Sequence, residues 1–303
     1  MDNTDEVLSV NKSAFMSLHS FIVFDEVVPQ VEGAKPLVLY ADVNSECILE
    51  NVVGIYITFI QLSRQFKCSK PCEYIETDVS ETCMRELSNG VWMALSTSNT
   101  SRLLNQSLLE LFSSIFTMFW DLPERSNKKL TEESVRDIKQ AFSMITHFTN
   151  YKNIPFTHVF SGYFKYQLSQ SMNKSVKKLV AALPPLVAHC MLMFSRNVIY
   201  STLTDETNRT LAVCLRYKFP FLFPHVVTKQ DKLYWIIGLS RLSKGKINVY
   251  APPIIINGQS HPMVALQYGK LKFILILNPD LEITIDSLLS IPRSLIPLIF
   301  SPA

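Results

Sequence analysis

From Ile48 to Phe66 the apolar positions recur at helical spacing, and they do so twice. Ile48, Val52, Ile55, Phe59, Leu62 and Phe66 form one stripe at steps of four and three, and Val53, Tyr56, Ile57 and Ile60 form a second beside it. Together they take up about 220° of the helix, well beyond the ≳100° face that one packing partner needs. Glu50, Asn51, Thr58, Gln61 and Gln65 fill the remaining arc, and Ser63 and Arg64 interrupt the second stripe. Two readings follow. The helix is sandwiched inside its own domain, or one stripe packs on a sheet while the other docks on a second protein.

Around this helix the pattern switches to the period of strands. Ser20 to Val28 and Leu37 to Tyr40 are β-branched and aromatic runs separated by Pro29, Gly33 and Pro36, which predicts two antiparallel strands before the helix. Glu73 to Asp78 and Val91 to Leu95 read as further strands, with Asn89-Gly90 as a turn signal between them. Two helices follow. Leu104, Leu108, Leu111, Ile115 and Phe119 share one face of the first, from Leu103 to Trp120. Thr131 with Glu132 and Glu133 opens the second, which runs to Phe148. Polar residues and a proline between Asn150 and Pro155 mark a boundary.

The second half repeats that order. Cys190 to Ser201 predicts a hairpin turning at Arg196-Asn197, and Thr204-Asp205 caps a helix reaching Phe219. Tyr234 to Leu239, Ile247 to Tyr250, Met263 to Gln267 and Leu271 to Leu277 read as strands, and Asp280 to Ser290 as a last helix stopped by Pro292. Strand, strand, helix, strands, helix twice over predicts an α/β (α+β) chain with two copies of one fold, without a residue-level repeat. The expected division is a flexible N-terminus at 1–17, a first domain at 18–151 and a second at 152–303.

Composition narrows the class more than the activity. The chain has 303 residues, 48% of them hydrophobic and 18% charged, which fits globular domains with real cores. A net charge of +3 is too small to argue for nucleic acid. The N-terminus lacks the order of a secretory signal, and no stretch reaches about 18 clean apolar residues, so a cytosolic chain with free thiols is expected. Cys68, Cys72 and Cys83 invite a zinc reading, but the C-x₃-C spacing lacks a second pair or a nearby histidine. No phosphate-binding loop, G-x-G-x-x-G, H-E-x-x-H or G-x-S-x-G is present, and the six histidines are scattered without acid or thiol neighbours. Neither a metal, a cofactor nor a catalytic residue is expected. Lys174, Lys177 and Lys178 read first as a solvated helix face. Their second reading is an attraction to anionic lipid, at about 1 kcal/mol per basic side chain near the surface.

Several segments together resemble the Ccz-type vacuolar fusion proteins, and the resemblance extends over most of residues 18 to 300. In the first half these are Asn51-Val52-Val53-Gly54, Gln61-Leu62-Ser63-Arg64-Gln65-Phe66, Ser69-Lys70-Pro71 and Trp92-Met93. In the second half they are Met193 to Ser201 and Leu222-Phe223-Pro224. The resemblance implies tandem longin domains, each an antiparallel sheet of about five strands with helices on its faces. It also implies a subunit of the Mon–Ccz heterodimer, an exchange factor for the late-endosomal Rab GTPase that acts peripherally on late-endosome and lysosome membranes. No covalent chemistry or nucleic acid is involved. The implied partners are a Mon-type longin subunit and the Rab, with Val53, Tyr56, Ile57, Ile60, Arg64 and Trp92 expected at the partner interface. Family members carry a third longin domain, and by this resemblance the chain ends at Ala303 without it. Two related readings are the longin subunit of the Hermansky–Pudlak exchange complex and a longin adaptor of the inturned type.

Overall fold

The computed structural model describes residues 17–27, 36–43, 49–66, 70–78, 80–98, 101–126, 129–153, 159, 167–222, 228–230, 233–241 and 247–300. Residues 1–16, Ile48, Cys68, Ser69 and Phe223-Pro224 therefore lie outside the described residues. The chain divides into two compact units, residues 1–116 with 120–160, and residues 161–303 with 117–119.

In the first unit β1 (Ser17–Asp25), β2 (Leu37–Val43), β3 (Tyr74–Glu76), β4 (Glu81–Ser88) and β5 (Val91–Ser98) form one antiparallel sheet in the order β2-β1-β5-β4-β3. Helix α1 (Leu49–Gln65) joins β2 to β3, and α2 (Arg102–Phe119) and α3 (Glu132–Thr149) follow β5. A small hairpin, β6 (Arg125–Ser126) with β7 (Lys129–Leu130), links those two helices. Side chains alternate across a strand, so β1 reads as a continuous apolar run because both of its faces are covered. Ile22 and Phe24 pack with α1, alongside Trp92 and Ala94 of β5. Phe21 points the other way, against Phe112 of α2 at 5.2 Å and Phe142 of α3 at 5.7 Å between ring centres.

Local chemistry sets the ends of these elements. Thr131 caps α3 by accepting the Ser134 N–H at 3.2 Å, as its sequence position suggests. Asn89 and Gly90 both have positive φ, 49° and 79°, the conformation that a tight hairpin turn between β4 and β5 requires. The sequence did not suggest β4, whose residues ETCMRELS lack clean alternation. It is held by a neighbour on each side, β3 and β5.

The second unit contains α4 (Gln170–Ala181), β8 (Val187–Phe194), β9 (Asn197–Ser201), α5 (Asp205–Arg216), β10 (Thr228–Gln230), β11 (Leu233–Arg241), β12 (Ile247–Tyr250), β13 (Pro253–Ile256), β14 (Gln259–Tyr268), β15 (Leu271–Leu277) and α6 (Ile285–Phe300). Its sheet runs β10-β11-β14-β15-β8-β9. Counted from its own first strand, β9-β8-β15-β14-β11 is the order of the first sheet again, with α5 in the place of α1. The sheet is larger than the expected five strands because β10 adds an edge and β12–β13 are inserted between β11 and β14. The Asn257-Gly258 turn, at φ 52° and 78°, returns the insertion into β14.

Three details differ from the sequence expectation. The β8–β9 turn lies at Ser195-Arg196, with Ser195 at φ 56°, one residue earlier than expected. Helix α6 begins at Ile285 and continues through Pro292. A proline inside a helix costs about 3 kcal/mol, but Leu288, Ile291 and Leu295 on one face are fully buried against β11, β14 and β15 and hold the helix through it. Gly238 is a third constraint unseen in the sequence. At φ 137°, any Cβ there would lie 2.5 Å from the buried Trp235 ring, so this bulge in β11 accepts only glycine.

Candidate functional site

The two stripes of α1 have the opposite roles to those expected. Val53, Tyr56, Ile57 and Ile60 are the buried ones, at 0%, 7%, 4% and 0% exposure, and they pack on Ile22, Phe24, Met84, Trp92 and Ala94 of the sheet. They have no surface to offer a partner, so their assignment to an interface is corrected. Ile55, Phe59, Leu62 and Phe66 face outward at 53%, 43%, 40% and 79% exposure. Both stripes satisfy helical periodicity, so apolar spacing alone could not decide which meets the sheet. Ser63 and Arg64, which interrupt the second stripe, are both spent on internal bonds. Ser63 Oγ donates to the Ile60 carbonyl at 2.7 Å and accepts the Cys72 N–H at 2.8 Å.

Arg64 and Trp92 do come together, through a residue the sequence had not marked. Glu26, just past β1, accepts the indole N–H of fully buried Trp92 at 2.6 Å on one oxygen and the Arg64 guanidinium at 2.8 Å on the other. That bond raises the Arg64 pKa above its ordinary value, and the guanidinium carbon sits 5.9 Å from the Trp92 ring centre. Beside it, Arg125 makes a two-pronged contact with Asp25 at 2.6 and 3.0 Å and donates to the Asn89 carbonyl at 2.7 Å. Gly90 lies between these groups, and a Cβ there would be 3.1 Å from both Arg125 Nη2 and Glu26 Cγ. The cluster pins the end of α1 to the sheet, with Trp92 fully buried inside it and the Arg64 side chain 44% exposed at its edge. Glu26→Ala is expected to destabilise the first unit by about 2 kcal/mol, since it leaves a buried indole donor unpaired. Urea denaturation followed by tryptophan fluorescence reads that loss.

The exposed face has a second unusual residue. Gly54 sits inside α1, where glycine costs roughly 1 kcal/mol relative to alanine. No atom outside its own helical turn lies within 4 Å of where its Cβ would be. Nothing described within the chain needs the glycine. Gly54 and Thr58 instead flank the apolar stripe and line a shallow groove with Pro36, Glu50, Asn51, Ile55 and Phe59. The second unit supplies a contrast. Its equivalent helix, α5, buries seven of twelve residues, whereas α1 buries four of seventeen.

Other candidate groups are placed structurally. Lys174, Lys177 and Lys178 are exposed on α4, a helix with no fully buried residue. Among the described residues no group of three or more His, Cys, Asp or Glu could hold a metal ion. Burial pushes the Cys83 and Cys190 thiols up to about 11, so both stay protonated at neutral pH. His261 is buried, with its Nδ1 3.2 Å from the Leu277 carbonyl. Among the described residues no helix is long and apolar enough to cross a membrane.

The sheet order with one helix on one face and two on the other agrees with comparison to known proteins. Residues 18–121 match the family model of the first longin domain of INTU, CCZ1 and HPS4. The first unit has the fold of a longin domain. A vacuolar fusion protein CCZ1 homolog from Dictyostelium discoideum is 31% identical over 86 residues, covering 27% of this chain. The matched stretch takes in 19% of that relative's length. The longin match therefore includes β1 to α2 and, within them, the whole of α1. The second unit repeats the sheet order of this longin domain.

Proposed function

We propose that this chain is the Ccz-type subunit of a heterodimeric guanine-nucleotide exchange factor for a late-endosomal Rab GTPase. The observation that supports it best is the uncovered apolar stripe of α1 in a longin domain of the INTU, CCZ1 and HPS4 family. Ile55, Phe59, Leu62 and Phe66 pack against a helix of a Mon-type longin subunit, with Gly54 and Thr58 allowing close approach. Apolar burial of that size contributes several kcal/mol, at about 25 cal/mol per Å², before the costs of association. The joined first longin domains then present a surface to the Rab.

The exchange reaction itself needs no nucleophile or acid–base pair. The factor binds more tightly to a GTPase conformation in which nucleotide and Mg²⁺ are poorly held, so that conformation becomes more populated. The exposed lysines of α4 and the wider positive charge of the second half give a surface suited to anionic membranes. The same family model names INTU and HPS4, so a longin adaptor and a subunit of another exchange complex are the competing readings.

The test follows release of a fluorescent GDP analogue from the late-endosomal Rab. Purified chain with its Mon-type subunit is expected to accelerate release at least tenfold over either subunit alone. A pair that co-purifies but leaves release at the spontaneous rate would exclude the exchange reading and favour the adaptor.

A further inference from the structure

Two carboxylates oppose each other at one edge of the first sheet. Glu76 of β3 is paired directly with Glu81 of β4, and Glu81 is paired on its other side with Thr97 of β5. Side chains of directly paired residues share one face of the sheet, so these three form a row. The face is the one that α2 covers. The Asn105 side-chain amide on α2 donates to Thr97 Oγ1 at 2.7 Å. The Cys83 thiol, two residues along β4 from Glu81, donates to the Arg102 carbonyl at 3.7 Å. Burial raises the Cys83 thiol, Arg102 opposes that rise and Glu81 adds to it, which agrees with a Glu81 carboxylate on this face.

Like charges directly opposite one another across strands are destabilising, and no cation of the chain offsets these two. Among the described residues neither Glu76 nor Glu81 takes part in an ion pair. Arg102, at the start of α2, lies instead over the Tyr74 ring, with its guanidinium carbon 4.3 Å from the ring centre. The Tyr74 hydroxyl donates to Glu76 at 3.2 Å, which leaves the second carboxylate to be accounted for.

Two oxygens in this row are closed off from solvent with no hydrogen-bond partner, Glu81 Oε2 and Asn105 Oδ1. Asn105 has 0% exposure, and its amide nitrogen is already used on Thr97, itself fully buried. A buried acceptor without a donor is expensive, and a carboxylate oxygen more so. The two deficits are of one kind. Each oxygen calls for a positive group, and both belong to residues that flank the same threonine.

We infer that Glu76, Glu81, Thr97 and Asn105 form a binding site for a hard divalent cation of the calcium class. All four side chains offer oxygen, which suits calcium or magnesium over the metals that prefer nitrogen and sulfur. Two carboxylates balance the charge of one divalent ion. Calcium is favoured because it accepts about six to eight oxygens in irregular geometry, whereas magnesium demands a near-ideal octahedron that groups fixed on three strands and a helix do not readily supply. Water completes the shell from the side of Glu76, which is exposed. The bound ion joins the three-residue edge strand β3 to β4, β5 and the first turn of α2. The site lies on the sheet face opposite α1, and it holds or fails independently of the exchange reading.

Calorimetric titration of the full chain with calcium chloride, after treatment with a chelator, tests the site. Saturable binding is expected, weakened at least tenfold in Glu81→Gln and in Glu76→Gln, with magnesium bound at least tenfold less tightly than calcium. Excess calcium should raise the melting midpoint of the parent, because an ion that binds the folded chain stabilises it, and leave that of Glu81→Gln unmoved. Unaltered melting of Glu76→Gln without calcium separates loss of the site from loss of fold. Glu110→Gln, which removes an exposed acid further along α2, should bind calcium as the parent does. No saturable calcium binding, or equal weakening in Glu110→Gln, would overturn the site, and magnesium bound as tightly as calcium would overturn its class.

Discussion

Ile60→Asp is expected to unfold the first unit. Ile60 is fully buried between α1 and the sheet, among Phe24, Met84 and Trp92. The substitution removes a large apolar side chain and places a carboxylate in a mostly apolar cluster. Such a change costs about 5 kcal/mol, which rivals the whole stability of an ordinary domain at 5–15 kcal/mol. Circular dichroism at 25 °C should show lost helix signal or a melting midpoint lowered by more than 15 °C. Native melting would mean that this stripe is not the core of the longin domain.

The paired prediction concerns the other side of the same helix. Phe59→Asp with Leu62→Asp should leave the melting midpoint within about 2 °C of the parent, because exposed substitutions away from special features change stability by about 0.5 kcal/mol or less. Association with a Mon-type subunit should fall at least a hundredfold. That loss corresponds to about 2.7 kcal/mol and is reasonable for two central apolar contacts of an interface. Analytical ultracentrifugation of the mixed subunits measures it. The three substitutions thus probe one helix for two separate roles, and the stability and binding losses should not overlap.

Much of this architecture can be read from sequence because periodicity reports burial directly. The excess apolar surface of α1, the Asn89-Gly90 turn and the Thr131 and Thr204 caps each follow from a local physical requirement. The repeat of strand order in the second half is likewise visible as a sequence of elements. What sequence cannot supply is the choice between two equally periodic stripes, which depends on where Glu26 sits after β1 and on what Ser63 and Arg64 bond to. Long-range partners of that kind have no signature in spacing. Gly54 is a costly residue inside a helix, and the structure places it beside the outward face. The near-neutral total charge conceals two halves of opposite sign. Pro292 misled because tertiary burial of Leu288, Ile291 and Leu295 outweighed a local rule.

The central claim is that a second longin protein covers the outward stripe of α1. A photo-crosslinking amino acid at position 59 tests it most directly in the co-purified pair. Illumination is expected to join the chain to the Mon-type subunit from position 59. No such product is expected from position 139, which is exposed on α3 behind the opposite face of the sheet. Crosslinks from position 139 and none from position 59, in a pair that remains intact, would contradict the account.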